Sequence, residues 1–212
     1  FRSEGVQGDI KDAFLIFVQI SLFLYLVMSL FSKEIVQLLM NEKFHECYKI
    51  VPIFLLSIIF SEATGIFQLK FVFKNQTIWF PVTLFFSALL NVVLNYFLIP
   101  GLNVYGAALA KTVTEILLFG LTFVIAQRLH KTDYGLRQNF WPLLSVIALV
   151  YFMDTLSVAW GYLLALKFGT VLFYGLVLDL LLARSSRRYG EVRKMAMTIF
   201  SVKMKKIRML VP

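Results

Sequence analysis

From Ala13 to Ser32 the chain reads AFLIFVQISLFLYLVMSLFS, without one charged side chain. About twenty apolar residues are what an α-helix needs to cross the hydrocarbon core of a bilayer, where backbone polar groups must bond within their own segment. Similar runs recur and predict six helices, at 13–32, 50–70, 77–99, 105–127, 139–159 and 162–183. Pro52 falls in the first turn of the second helix, where a missing N–H costs little. Pro100-Gly101 closes the third and Gly106-Ala107-Ala108 opens the fourth, while Asp154, Ser157 and Gly161 compete to mark the last break. Hydrophobic residues make up 59% of the sequence, charged residues 16%, and mean hydropathy is +0.79. A soluble domain needs more polar surface than that. The expectation is an all-α, polytopic membrane bundle. Core helices occupy 1–131, a final hairpin 132–183 and a basic tail 184–212. The 22 phenylalanines suit lipid-facing and interfacial positions.

Charge orients the bundle, because lysine and arginine collect on the cytoplasmic side. Four segments hold most of the 21 basic residues. These are the N-terminal stretch with Arg2 and Lys11, the junction with Lys70 and Lys74, the loop with Arg128, Lys131 and Arg137, and the tail from Arg184. They alternate with three poorer connections. In the first of these, Lys33, Lys43 and Lys49 are offset by Glu34, Glu42 and Glu46. Both ends are therefore expected in the cytoplasm. Trp79 and Trp141 then lie at inner helix starts and Trp160 near the outer face, as in an aromatic belt. Ile35, Leu38, Leu39 and Phe44 fit either a short interfacial helix or a plain extension of the first span. The tail, with Val192, Met195 and Ile199 interleaved, reads as a segment lying on the anionic inner leaflet rather than as a nucleic-acid arm. Asn75-Gln76-Thr77 matches a glycosylation sequon made idle by a cytoplasmic loop. The start, Phe1-Arg2-Ser3, lacks Met and a signal-peptide pattern, and suggests a fragment preceded by further spans.

Enzymatic chemistry finds no support in the residues. A single Cys47 allows no internal disulfide, and His45 and His130 lie in separate loops. There is no Gly-rich phosphate loop, nucleophile elbow or nucleophile–base pair. Polar groups instead form stripes inside the helices, where they are costly unless they face a partner or water. Ser57, Ser61, Thr64 and Gln68 share one helix face, with Glu62 at its border. Ser87, Asn91 and Asn95 form a second stripe, and Lys111, Thr114, Glu115 and Thr122 a third. Lys111, Glu115 and Glu62 fall at similar depths near mid-membrane and are expected around one interior cavity. Two other readings stay open. The stripes can be helix–helix glue, and Lys111–Glu115 can be a self-neutralising i, i+4 pair. Lys167 is expected to snorkel outward, and Lys70 and Lys74 to act as cytoplasmic anchors or first contacts. Interior polar stripes without a catalytic set point to a transporter, with a non-transporting scaffold as the plainer option.

Three stretches, EIVQLLMNEKF, IVPIFLLS and LLNVVLNYFLIPGLNVYGAALAKTVTE, carry a family resemblance. The chain resembles the C-terminal half of a polysaccharide-biosynthesis or O-antigen flippase of the multidrug/oligosaccharidyl-lipid/polysaccharide exporter superfamily. The resemblance covers residues 10–131, and its marker is the Asn-rich helix, Leu98-Ile99-Pro100, a short loop, Gly106-Ala107-Ala108 and Glu115. Two residues depart from the pattern: Lys111 replaces a small polar residue, and Asn41 a glycine that often ends the preceding turn. The resemblance implies the second six-helix lobe of a MATE-like transporter in the bacterial inner membrane. Its substrate would be an undecaprenyl-diphosphate-linked oligosaccharide, moved by alternating access and driven by an H+ or Na+ gradient or the membrane potential, with no bound cofactor or metal. Lys111 would meet the diphosphate, Lys70 and Lys74 would serve at the cytoplasmic entry, and Asn91 and Asn95 would bond sugar hydroxyls. Glu115, Glu62 and Gln68 complete the candidate cavity. A polysaccharide polymerase and glycosyltransferases are the implied partners, and nucleic acid is not. A MATE-type drug/cation antiporter is the first alternative, using Glu62 and Glu115. A membrane-embedded enzyme of polyprenyl-phosphate sugar metabolism is the second.

Overall fold

The computed structural model describes residues 2–129, 131, 136–155 and 160–185. Their regular structure is all helical, with no strand among them. The helices are α1 (Arg2–Leu30), α2 (Ser32–Leu39), α3 (Val51–Phe73), α4 (Trp79–Leu129), α5 (Leu136–Thr155) and α6 (Trp160–Ser185), with a 3₁₀ segment at Glu42–Lys49 between α2 and α3. Among the described residues three helical stretches are long and apolar enough to cross a membrane: Val51–Val72, Trp79–Leu129 and Tyr162–Leu180. A fourth is obtained if Phe14–Leu30 and Ser32–Leu39, bent by 58° from one another, count as one span. The protein is thus an all-helical, membrane-embedded chain. The tail reading from 186 onward and the 156–159 part of the last break lie outside the described residues.

α4 departs most from expectation. Its 51 residues would make a straight rod of about 76 Å, more than twice the bilayer core. The chain reverses at Asn103, whose φ of 51° and ψ of −128° leave the helical region. Asparagine is among the few non-glycine residues that tolerate positive φ. Asn75, between α3 and α4, is the other non-glycine residue with positive φ among the described residues, at 54°. The helix therefore runs on past Pro100-Gly101 through Leu102, and the reversal comes three residues after the proline rather than at it. The two arms then fold back together. Asn91 donates to the Thr114 hydroxyl at 3.4 Å, although a straight helix would hold these residues about 35 Å apart. Gly106 sits so close to the Leu98 carbonyl that an added Cβ would lie 2.3 Å from its oxygen.

α1 is the hub. It packs against α3 on one side and against α5 and α6 on the other, and α3 carries the α4 hairpin. Two apolar clusters result. Phe14, Val18 and Leu22 of α1 meet Ala63, Phe67 and Phe71 of α3 and Ala126 of α4. Tyr25, Leu26 and Leu30 meet Val146, Val150 and Met153 of α5 and Tyr174 and Leu178 of α6. Phe14, Phe67 and Phe71 are buried in this packing, while more of the phenylalanines, Phe54, Phe85, Phe86, Phe97, Phe168 and Phe173 among them, are exposed, as expected of lipid-facing positions. Phe67 lies 5.3 Å from Phe14, 5.1 Å from Phe119 and 5.3 Å from Phe123, between ring centroids. Offset and tilted ring pairs at such distances add about 0.5–1.5 kcal/mol beyond their area. α1 also begins well before residue 13, and α2 is a separate helix rather than an extension of α1. Leu38, Leu39 and Phe44 are exposed, which leaves an apolar edge beside α2.

Candidate functional site

The polar residues of the α4 hairpin come together. On the second arm, Lys111, Thr114 and Glu115 share one face by their i, i+3, i+4 spacing. Asn91 reaches Thr114 from the first arm, and Asn95 donates to Asn91 Oδ1 at 2.9 Å. Lys111 Nζ donates to Glu115 Oε1 in an ion pair. Glu115 lies about 18 Å along the arm from the Asn103 reversal, a little over half the roughly 30 Å thickness of a bilayer core. Its side chain is 4% exposed, against 44% for Lys111. The pair is therefore lopsided: a buried carboxylate holds an ammonium that faces out of the bundle.

This cluster is under-satisfied. Glu115 Oε2, Asn95 Oδ1 and Thr122 Oγ1 are buried without a hydrogen-bond partner among the described residues. Buried polar atoms are nearly always bonded, and exceptions need a reason. The hydroxyls of α3 are different. Ser57 donates to the Phe54 carbonyl and Thr64 to the Phe60 carbonyl, so each is satisfied within its own helix. Thr112 makes a bond across the α3–α4 interface, donating to the Ile53 carbonyl of α3 as well as to the Ala108 carbonyl of its own helix, both at 2.9 Å. The sequence reading missed Thr112, because a lone threonine between two stripe residues carries no periodic signal.

Glu62 is not part of this cluster. Phe60 packs on Phe119 of α4, and Glu62, two residues on, points to the other side of α3. It is exposed and lines an apolar groove between α1 and α3 with Phe17, Leu24, Met28 and Ile58. The single interior cavity expected for Lys111, Glu115 and Glu62 is thus divided between two faces of α3. Gln68 is half-buried on α3. Lys70 is buried, leaving Lys74 as the exposed lysine at that junction. Lys167 does not snorkel. It is buried on α6, donates to Glu34 Oε1 of α2 at 2.5 Å, and lies 5.7 Å from the Phe31 ring centroid. Its partner is 133 residues away, a pairing no local pattern could reveal.

Among the described residues no group of three or more His, Cys, Asp or Glu side chains is placed to hold a metal ion. What the hairpin offers is a row of donors and acceptors with an outward-facing ammonium. No family model, curated protein or solved structure matches the chain.

Proposed function

We propose that the chain forms the second lobe of a transporter that moves an undecaprenyl-diphosphate-linked oligosaccharide across the bacterial inner membrane. The observation that carries this reading is Lys111, an ammonium 44% exposed at mid-membrane depth. Facing lipid there would cost about 2.5–3.5 kcal/mol on an insertion scale. A water-filled cavity, closed on its far side by another lobe, removes most of that cost. A diphosphate passing through such a cavity needs cationic hydrogen-bond donors. Asn91 and Asn95 beside it have amide groups suited to sugar hydroxyls. The family resemblance supplies the substrate class, the six crossings and the two-lobe arrangement.

A second reading rests on Glu115. A buried carboxylate with one unpartnered oxygen is suited to exchange a proton or bind a cation. That supports ion coupling in the flippase, and it equally supports a drug/cation antiporter of the same superfamily. Complementation of surface-polysaccharide export separates them. In a full-length transporter, Lys111→Ala is expected to abolish export at normal protein levels. Unchanged export would remove Lys111 from the substrate path. Retained cation efflux without any role in polysaccharide export would favour the antiporter.

The proposed topology places both ends of the segment in the cytoplasm and the Asn103 reversal outside. A membrane-impermeant thiol reagent should label Asn103→Cys in intact cells, in a Cys47→Ser background. Labelling only after the cells are opened would reverse the orientation.

A further inference from the structure

A pocket of about 320 Å³ lies at one end of the bundle, away from the α4 cluster. It is walled by the end of α1, the start of α2, the end of the 3₁₀ segment, the first turn of α3, the start of the second α4 arm, the end of α5 and the beginning of α6. Because these are mostly helix ends, a bilayer crossed by the bundle would place the pocket near its headgroups. Its volume is at the small end of ligand pockets, about 300–1,000 Å³. The apolar cluster of α1, α5 and α6 contributes Leu30, Val150 and Met153 to its lining.

The polar groups lining it are of both signs. Lys33 and Lys49 hold their ammonium groups 5.8 and 5.7 Å from the centroid of the same Tyr48 ring. Lys49 is neutralised by Glu46 and Lys167 by Glu34. Lys33 makes no ion pair among the described residues, although the Glu46 carboxylate lies within its electrostatic reach. Asp154 lines the pocket with Tyr105 and Tyr151, and all three are exposed. The Tyr48 hydroxyl is pushed above its ordinary pKa, first by burial and next by the Asp154 carboxylate, so the acidic and basic walls lie within electrostatic reach of each other.

A simple anion would meet one ammonium that makes no ion pair, and would be repelled by Asp154. A simple cation would find Asp154 but also the Lys33 ammonium. A ligand carrying both charges suits both walls. We propose that this pocket binds a phosphate–ammonium group of the phosphoethanolamine type, with its phosphate on Lys33 and its ammonium against Asp154, Tyr105 and Tyr151. Phosphate accepts charge-assisted hydrogen bonds from the lysine. Tyrosine faces and a carboxylate together attract an ammonium. The group can come from a bilayer phospholipid, whose headgroup lies at this depth, or from a soluble molecule. The inference goes beyond the transport reading and stands without it, since no residue of the α4 cluster takes part.

The test uses the 212-residue chain reconstituted in vesicles of phosphatidylethanolamine and phosphatidylglycerol in equal amounts, then extracted and weighed by native mass spectrometry with its retained lipid. Phosphatidylethanolamine should be retained preferentially. Asp154→Asn should reduce its retention about tenfold while leaving phosphatidylglycerol unchanged, as loss of an ammonium partner requires. Lys33→Gln should weaken retention of both lipids. Both side chains are exposed, so the fold should survive, and circular dichroism checks that it does. Displacement of the lipid by O-phosphoethanolamine would assign the site to a soluble ligand, and failure to displace it would assign the site to the bilayer. Equal retention of the two lipids by the unmodified chain, or a preference that survives Asp154→Asn, overturns the proposal.

Discussion

Gly106→Ala is expected to break the α4 hairpin, lowering stability by about 3 kcal/mol, the upper end for overpacking a close contact. The added methyl carbon would lie 2.3 Å from the Leu98 oxygen and 2.6 Å from its carbonyl carbon. Both are backbone atoms, so no side-chain rotation can relieve the clash, and the two arms must move apart. Their separation would also stretch the Asn91–Thr114 hydrogen bond across the hairpin. Gly101→Ala is the control. Nothing lies within 4 Å of the Cβ it would add, and alanine is favoured over glycine in a helix by about 0.5–1 kcal/mol. Thermal unfolding in detergent should therefore show opposite shifts for two glycines five residues apart. Equal shifts would mean that the arms do not meet at Gly106.

Lys111→Met should lower stability by about 2 kcal/mol. Breaking a fully buried ion pair costs about 3–5 kcal/mol, because the remaining charge is left uncompensated. The value here is smaller because Lys111 is 44% exposed. The double variant Lys111→Met/Glu115→Gln removes both charges and should recover more than half of the loss, a coupling that a double-mutant cycle measures directly. Additive losses would show that the two side chains act independently. Export in the same variants separates structure from transport. If the pair is only structural, the double variant should recover export along with stability. If Lys111 meets the substrate, export should stay lost while stability returns.

The helices were legible because each depends on local chemistry. Uninterrupted apolar runs of span length have one low-cost conformation in lipid, so α3 at Val51–Phe73 and α6 at Trp160–Ser185 fall within a few residues of expectation. The Lys111–Glu115 pair was equally legible, since i, i+4 spacing places the two side chains together on any helix. The Asn103 reversal was less so. Pro100-Gly101 is the stronger local signal, yet the chain turns where an asparagine accepts positive φ, three residues after the proline.

Pairings between distant segments were not legible. Lys167–Glu34, Thr112–Ile53 and the joining of α1, α3, α4, α5 and α6 around one pocket depend on which helix faces meet. Glu62 shows the same limit. Its depth could be counted along the helix, but its direction was set by Phe60 and Phe67 packing on Phe119 of α4. The sequence by itself determined that this is a helical membrane chain, where its helices lie and how its basic residues alternate, because lipid admits few backbone conformations and charge is read segment by segment. Only the tertiary structure decided which polar groups share a space. Rotation of a helix about its axis changes little in its hydrophobicity and is settled by the side chains of its neighbours.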